Sequence, residues 1–295
     1  MASIWEHNRL YSILRPWVDA ATRTSFSSLR TEGLENIPED AAVILSLNHT
    51  CTLMDPLVVL QCFKGPVAFG ARADIFRRPA VARILRFLRM VPLSRARDGY
   101  GEVAKNAMVF DEIVDCIGHG VPFCLCPEGK HRPERGLQPL KKGIFRIAEL
   151  AAETLDRPVF IVPVCITYED FFCYMKRTVV VFGKPVPASE FAHLSPSGKT
   201  ELLSERMLDL LRYEEMDKKE SNGTARKALS IISLPIFALC ALLASPVLIP
   251  EYFLCRKLRD KAWLNTVRYA CSLLLVPLWP FHRAFHLLLN LWKNR

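Results

Sequence analysis

The sequence lacks any pair of cysteines at a metal-binding spacing, although it contains ten cysteines. Cys124-x-Cys126 falls within an apolar, strand-like run, so the thiols read as reduced and mostly buried, facing a reducing compartment. There is no internal repeat, which excludes a repeat architecture. The first thirty residues carry charges throughout and lack an apolar centre, so no cleavable secretory signal is expected. Acidic residues are in deficit, with 30 Asp and Glu against 39 Lys and Arg and a formal net charge of +9. That excess calls for an anionic partner: a membrane surface, a phosphorylated ligand or nucleic acid. What is abundant is apolar, at 51% hydrophobic residues. A chain of 295 residues has ample length for a real core.

One stretch organises the rest, Ser46-Leu47-Asn48-His49-Thr50-Cys51-Thr52-Leu53-Met54-Asp55-Pro56. The apolar run Ala41 to Leu47 before it reads as a buried strand. Pro56 suits the first turn of a helix, which places Asp55 at the N-cap. A loop between strand and helix can fold the carboxylate onto the His49 imidazole, fixing one tautomer and leaving the other nitrogen as a general base. The same residues also fit a plain strand end followed by a helix cap.

Apolar residues between 4 and 19 recur at mostly helical spacing, predicting an N-terminal amphipathic helix for a membrane interface or for the core. Leu29 to Pro38 reads as a polar, turn-rich passage. Between Arg72 and Asp98 there are eight arginines and two aspartates. There Val81, Ile84, Leu85 and Leu88 form a helical stripe, with Arg83, Arg86 and Arg89 off it. Such a helix suits anionic headgroups or phosphorylated substrates, or else is a core helix with a solvated arginine face. Met90 to Arg95 is a short strand whose terminal guanidinium suits phosphate, and Val103 to Ile117 is a helix. The strand Val121 to Cys126 runs into Pro127-Glu128-Gly129-Lys130-His131-Arg132, a tight turn carrying a carboxylate and a basic cluster. Lys141 to Leu155 is a helix. Val159 to Ile166 is a strand in which Pro163 predicts a bulge or a strand end. Thr178 to Phe182 is the last strand, and Glu201 to Tyr213 a charged-faced helix. Alternating strands and helices over residues 40 to 182 predict an α/β fold with a largely parallel or mixed sheet flanked by helices.

The remainder changes character. Glu214 to Lys227 is polar. Ala228 to Pro250 carries no charged residue in 23 positions, long enough for a span, but Pro235, Pro246 and Pro250 interrupt it. Tyr269 to Phe281 is a shorter apolar stretch. Basic residues flank the first stretch on both sides, which predicts a re-entrant or interfacial hairpin returning to the cytoplasmic face, with a two-span hairpin as the competitor. The organisation expected is an interface helix (1–30), a catalytic domain (31–215), a polar linker (216–227) and a membrane-anchoring hairpin (228–295).

Over roughly residues 30 to 190 the chain resembles the glycerophospholipid acyltransferase family, which includes 1-acylglycerol-3-phosphate and glycerol-3-phosphate acyltransferases and tafazzin. Asn48-His49 to Asp55-Pro56, Val91-Pro92-Leu93-Ser94-Arg95, Pro127-Glu128-Gly129 and Val162-Pro163-Val164 are similar to its four motifs, in order. Five residues separate His49 from Asp55 where four are commonest, as in some branches of the family; four would put the carboxylate at Met54. Lys130-His131-Arg132 stands where a threonine and an arginine usually follow the third motif. The resemblance implies a catalytic His49 oriented by Asp55. Arg95, Glu128 and Gly129 would hold a glycerol phosphate, with help from Lys130 or Arg132. It implies acyl-CoA or acyl carrier protein as donor, no metal or redox cofactor, and a lipid membrane as setting, with the site facing the cytoplasm. The expected acceptor is 1-acylglycerol 3-phosphate. Glycerol 3-phosphate, an acyl-amino-acid lipid, or an inactive membrane-bound scaffold are the alternatives. Nucleic acid is not expected as a partner, because the arginines interleave with a buried-type stripe.

Overall fold

A computed structural model describes residues 3–94, 106–218, 234–274 and 278–293. Its frame is one mixed, eight-stranded sheet: β1 (Phe26–Glu32), β2 (Ala42–Leu47), β3 (Ala68–Arg72), β4 (Met90–Leu93), β5 (Phe123–Leu125), β6 (Val159–Tyr168), β7 (Lys176–Phe182) and β8 (Val186–Pro187). The spatial order is β1-β7-β6-β2-β5-β3-β4, with β8 on the edge of β6. β2 pairs parallel to β5 and β6, β3 parallel to β4 and β5, and β1 parallel to β7. Among the described residues, only the β6 pairings with β7 and β8 are antiparallel. Every residue of β2 is buried, because side chains alternate between two covered faces. Ala42 and Ile44 enter one core; Val43, Leu45 and Leu47 enter the other.

The helices are α1 (Arg9–Thr24), α2 (Met54–Leu60), α3 (Pro79–Phe87), α4 (Asn106–Gly118), α5 (Gly143–Thr154), α6 (Ala188–Ala192), α7 (Pro196–Leu208), α8 (Tyr213–Asp217), α9 (Leu234–Leu243), α10 (Ser245–Arg256), α11 (Leu264–Leu274) and α12 (Trp279–Lys293). The first core packs α4 and α5 under the sheet through Ile113, Ile117, Ile144, Ile147 and Ala151. The second packs α2 over it through Met54, Val58 and Val59, and also takes in Tyr269 of α11.

Three sequence expectations need correction. The passage from Leu29 to Pro38 is not all turn: it begins inside β1, which is legible only through its pairing with β7. Pro163 is neither at a bulge nor at a strand end but in the middle of β6, opposite Ser46 of β2. Its missing donor falls where β8 pairing has stopped at Ile161 and β7 pairing has yet to begin at Val164, and its carbonyl accepts from Gly183 N. Asp55 is not the N-cap of α2, which is Leu53; it lies in the first turn, with its carboxylate used elsewhere.

The N-terminal helix buries Tyr11 and Ala21 but leaves other large apolar residues outside. Arg15 is buried, donating to the carbonyls of Leu60, Phe63 and Gly65 and pairing with Asp19. Leu10, Ile13, Leu14 and Trp17 are exposed. α3 likewise buries none of its residues and exposes Val81 and Ile84. No single described helix is long and apolar enough to cross a membrane, although α9 and α10 pass that test together, bent by 82°.

The turn after β1 holds the first strand against the sheet. Gly33 has φ 71°, and a Cβ there would lie 2.1 Å from the Phe182 carbonyl oxygen, which also accepts from Asn36 Nδ2 at 2.9 Å. Gly33→Ala meets both a left-handed backbone and a backbone clash. It should lower stability by about 2–4 kcal/mol, read as a drop in the thermal midpoint without loss of secondary structure in the folded state.

Candidate active site

The site lies at the carboxyl ends of β2, β5 and β6, where parallel sheets open a crevice beyond the strand ends. Asn48 extends β2 by side chain: its Oδ1 accepts from Ile166 N at 2.8 Å and its Nδ2 donates to Ile166 O at 3.0 Å. The loop that follows is therefore fastened before His49 is reached. It turns through Thr52, whose φ of 49° is an outlier for a β-branched residue.

Asp55 is fully buried and saturated with donors. Its Oδ2 takes His49 Nδ1 at 2.8 Å and the backbone N–H groups of Thr50 at 2.9 Å and Cys51 at 2.8 Å. Its Oδ1 takes the Tyr168 hydroxyl at 2.8 Å. This is why Asp55 does not cap α2: its carboxylate binds the free N–H groups of the loop before the helix. With the carboxylate on Nδ1, the proton sits there and Nε2 is the basic nitrogen. Desolvation opposes protonation of the ring, but the neighbouring Cys126 sulfur and the Asp55 carboxylate outweigh it and hold the His49 pKa well above the usual histidine value. Met54, the position that the commoner spacing would make acidic, is a core residue.

Beneath this dyad sit groups that no sequence motif announced. Burial keeps the Tyr168 hydroxyl a neutral donor, its pKa held well above the ordinary phenol value. The buried Lys176 ammonium lies 4.2 Å from the Tyr168 ring centroid and within 3.4 Å of Cys51 Sγ, placing a cation behind the carboxylate's donors. Lys176 opens β7, and only the pairing of β7 with β6 brings it here.

The turn after β5 is clamped to the His49 loop from both sides. Glu128 Oε1 accepts from His49 N at 3.2 Å, and Arg132 N donates to His49 O at 3.0 Å. Gly129 makes the turn at φ 74°. Glu128 is 3% exposed, so within this structure it holds the backbone of the catalytic loop. Lys130 is exposed and Arg132 half-exposed beside Glu134. Arg95 lies outside the described residues. The last described residue before it, Ser94, exchanges two hydrogen bonds with the Asn106 side chain, at 2.9 and 2.8 Å.

The C-terminal segment closes one side of the site. Thr52 Oγ1 meets Thr266 Oγ1 at 2.7 Å, and His131 Nε2 pairs with Asp260 Oδ2 at 2.7 Å. His131 stands edge-on between the rings of His49, 5.7 Å away, and Trp263, 6.1 Å away. Asn265 Nδ2 donates to Phe171 O at 2.8 Å. Sequence reasoning missed Asp260, Trp263 and Thr266, because nothing local links residues some 130 to 210 positions from their partners.

Burial pushes the Glu128 carboxyl up to about 7, against the pull of the His49 and Gln138 backbone donors. Between its ordinary value of 4.5 and 7 the folded chain keeps this proton longer than the unfolded chain. Stability from this group therefore falls as pH rises through that window, by about 3 kcal/mol in total. Glu128→Gln keeps an acceptor for His49 N and removes the charge. Its thermal midpoint should exceed that of the wild type near pH 8, with the gap closing toward roughly pH 4–5.

A model of the acyltransferase family matches residues 28–167, a span that runs from within β1 to within β6 and includes the dyad. The fold is similar to the crystal structure of the 1-acyl-sn-glycerophosphate (LPA) acyltransferase PlsC from Thermotoga maritima. That similarity has a TM-score of 0.51 at 24% sequence identity, covering 72% of this chain and 81% of that one. No curated protein matches the chain at a significant level. A histidine held by a buried aspartate after β2 and a Pro-Glu-Gly turn clamped to its loop fall within the residues that match the acyltransferase family.

Proposed function

We propose that this protein transfers a fatty acyl group from acyl-CoA or acyl carrier protein to the hydroxyl of 1-acylglycerol 3-phosphate, giving phosphatidic acid, at a membrane surface facing the cytoplasm. The observation that carries the chemistry is the 2.8 Å bond from His49 Nδ1 to a fully buried Asp55. His49 Nε2 takes the proton of the acceptor hydroxyl as its oxygen attacks the thioester carbonyl. The imidazolium, stabilised by Asp55, then returns the proton to the departing thiolate. Atoms balance with no group other than the two substrates. Completion of the dyad also argues against a silenced scaffold, because all parts of the base are in place.

The acceptor assignment rests on charge. Lys130 stands exposed and Arg132 half-exposed on the turn clamped to His49, and both suit a phosphate monoester. Arg95 would join them. The PlsC of Thermotoga maritima is named for this acceptor, which supports the choice over glycerol 3-phosphate or an acyl-amino-acid lipid. The membrane setting rests on exposed apolar side chains: Leu10, Ile13, Leu14 and Trp17 on α1, Ile84 on α3, and Ile236, Leu239, Leu242 and Phe253 on α9 and α10. Large apolar side chains exposed in this number, on helices with basic neighbours, suit a lipid interface. The bent α9–α10 pair suits a re-entrant or interfacial hairpin better than a straight span.

Acyl transfer by purified protein in lipid, offered a panel of these acceptors with both donors, tests the reading. Transfer to 1-acylglycerol 3-phosphate should exceed transfer to the others, and no transfer to any of them from folded protein would overturn it. His49→Ala should abolish activity, and Asp55→Asn should lower kcat by ~10²–10⁴-fold. Because His49 must be neutral to act, the rate should fall as pH drops through its raised pKa. Removing the Asp55 charge lowers that pKa, so the acid limb of the kcat profile should move to lower pH in Asp55→Asn.

A further inference from the structure

Outside the catalytic crevice, Glu251 of α10 meets His282 and His286 of α12. The three are 6%, 2% and 4% exposed, and their ligand atoms all lie within 4.8 Å of one another. His282 and His286 are four residues apart, so they share one face of α12. Each directs Nε2 at the Glu251 carboxylate, at 2.7 Å from His282 and 3.3 to 3.4 Å from His286. Arg268 Nε is 3.3 Å from Glu251 Oε1.

An ion pair between Glu251 and Arg268 has no need of two imidazoles. Their convergence on a carboxylate already balanced in charge is the arrangement that a cation organises. We propose that Glu251, His282 and His286 bind a divalent transition-metal ion of zinc type, a structural centre apart from acyl transfer. Two imidazoles and a carboxylate are a standard zinc donor set, and tetrahedral zinc at its usual bond lengths spaces its ligands roughly 3.3–3.5 Å apart. The His286 Nε2 to Glu251 Oε2 separation of 3.4 Å already has that spacing, and the His282 separation of 2.7 Å lengthens to reach it. Oε2 coordinates while Oε1 keeps Arg268 as an outer partner, the kind of support that orients a ligand carboxylate. The Tyr174 ring packs against both imidazoles, with centroids 5.4 and 5.0 Å away, fixing their rotamers. A metal-bound hydroxide in the fourth position offsets the ion's charge.

The ion would tie α10 to α12. Asn290 on α12 donates to Tyr174 O at 2.6 Å, so the same tie holds the segment carrying Asp260 and Thr266 against the catalytic domain.

The test uses the full chain in detergent, purified through a tag without histidine, stripped with chelator and titrated with zinc. Metal content is measured after gel filtration, together with the thermal midpoint. Zinc should be retained at an equimolar level and should raise the midpoint. Glu251→Gln and His286→Ala should each weaken binding by more than the ~10–100-fold that loss of an outer partner costs. Cobalt in place of zinc should give the visible absorption of a low-coordinate centre. Folded wild-type protein that retains no zinc would overturn the proposal, whatever the variants do. So would retention undiminished in both variants, which would place the ion elsewhere.

Discussion

The carboxylate of Asp55 is the group on which the site depends. It is removed from water entirely, and a charge so placed is tolerated only when its lone pairs are met by donors. Here four donors meet it: an imidazole, two backbone amides and a phenol. Each belongs to a different part of the construction. The amides demand the tight loop after β2, the phenol demands the end of β6, and the imidazole is the proposed base. The sheet order that sets β6 beside β2 is thus a condition of the chemistry as well as of the core. Lys176 and the Asn48 pairing with Ile166 complete the same requirement, one by charge and one by fixing the chain.

Much of this was legible in the sequence, and for identifiable reasons. β2 announced itself by an unbroken apolar run, which is how a strand covered on both faces reads. His49 and Asp55 were recognisable because strand, loop and helix are consecutive in the chain. The helices α4 and α5 followed from periodicity. What was lost depended on partners far away. β1 has a polar, half-exposed pattern and exists because β7 pairs with it. Pro163 looked like a terminator because proline usually costs a ladder bond; it sits at the changeover between two neighbours, where no acceptor waits. Asp55 looked like a cap because Asp before Pro so often is one, and the loop's own amides claimed it first.

Composition changes sharply after Lys227, and a change in composition invites a boundary. The contacts run across it. Tyr269 enters the second core, Thr266 meets the strained Thr52, and Asp260 holds the histidine that stands beside His49. Exposed apolar residues on α1, α9 and α10 and polar contacts made by the 260–266 corner belong to one continuous stretch of structure.

Attachment of that corner bears on what can be inherited or transplanted as a module. The stretch 28–167 carries the recognisable motifs, yet it does not contain a whole crevice. A graft of this chain's first half onto another acyltransferase's ending would leave Thr52 without its hydroxyl partner and His131 without its counter-charge. The two halves are therefore expected to drift together, with substitutions at residues 52 and 131 answered by substitutions at 266 and 260, though each pair lies on opposite sides of a compositional boundary.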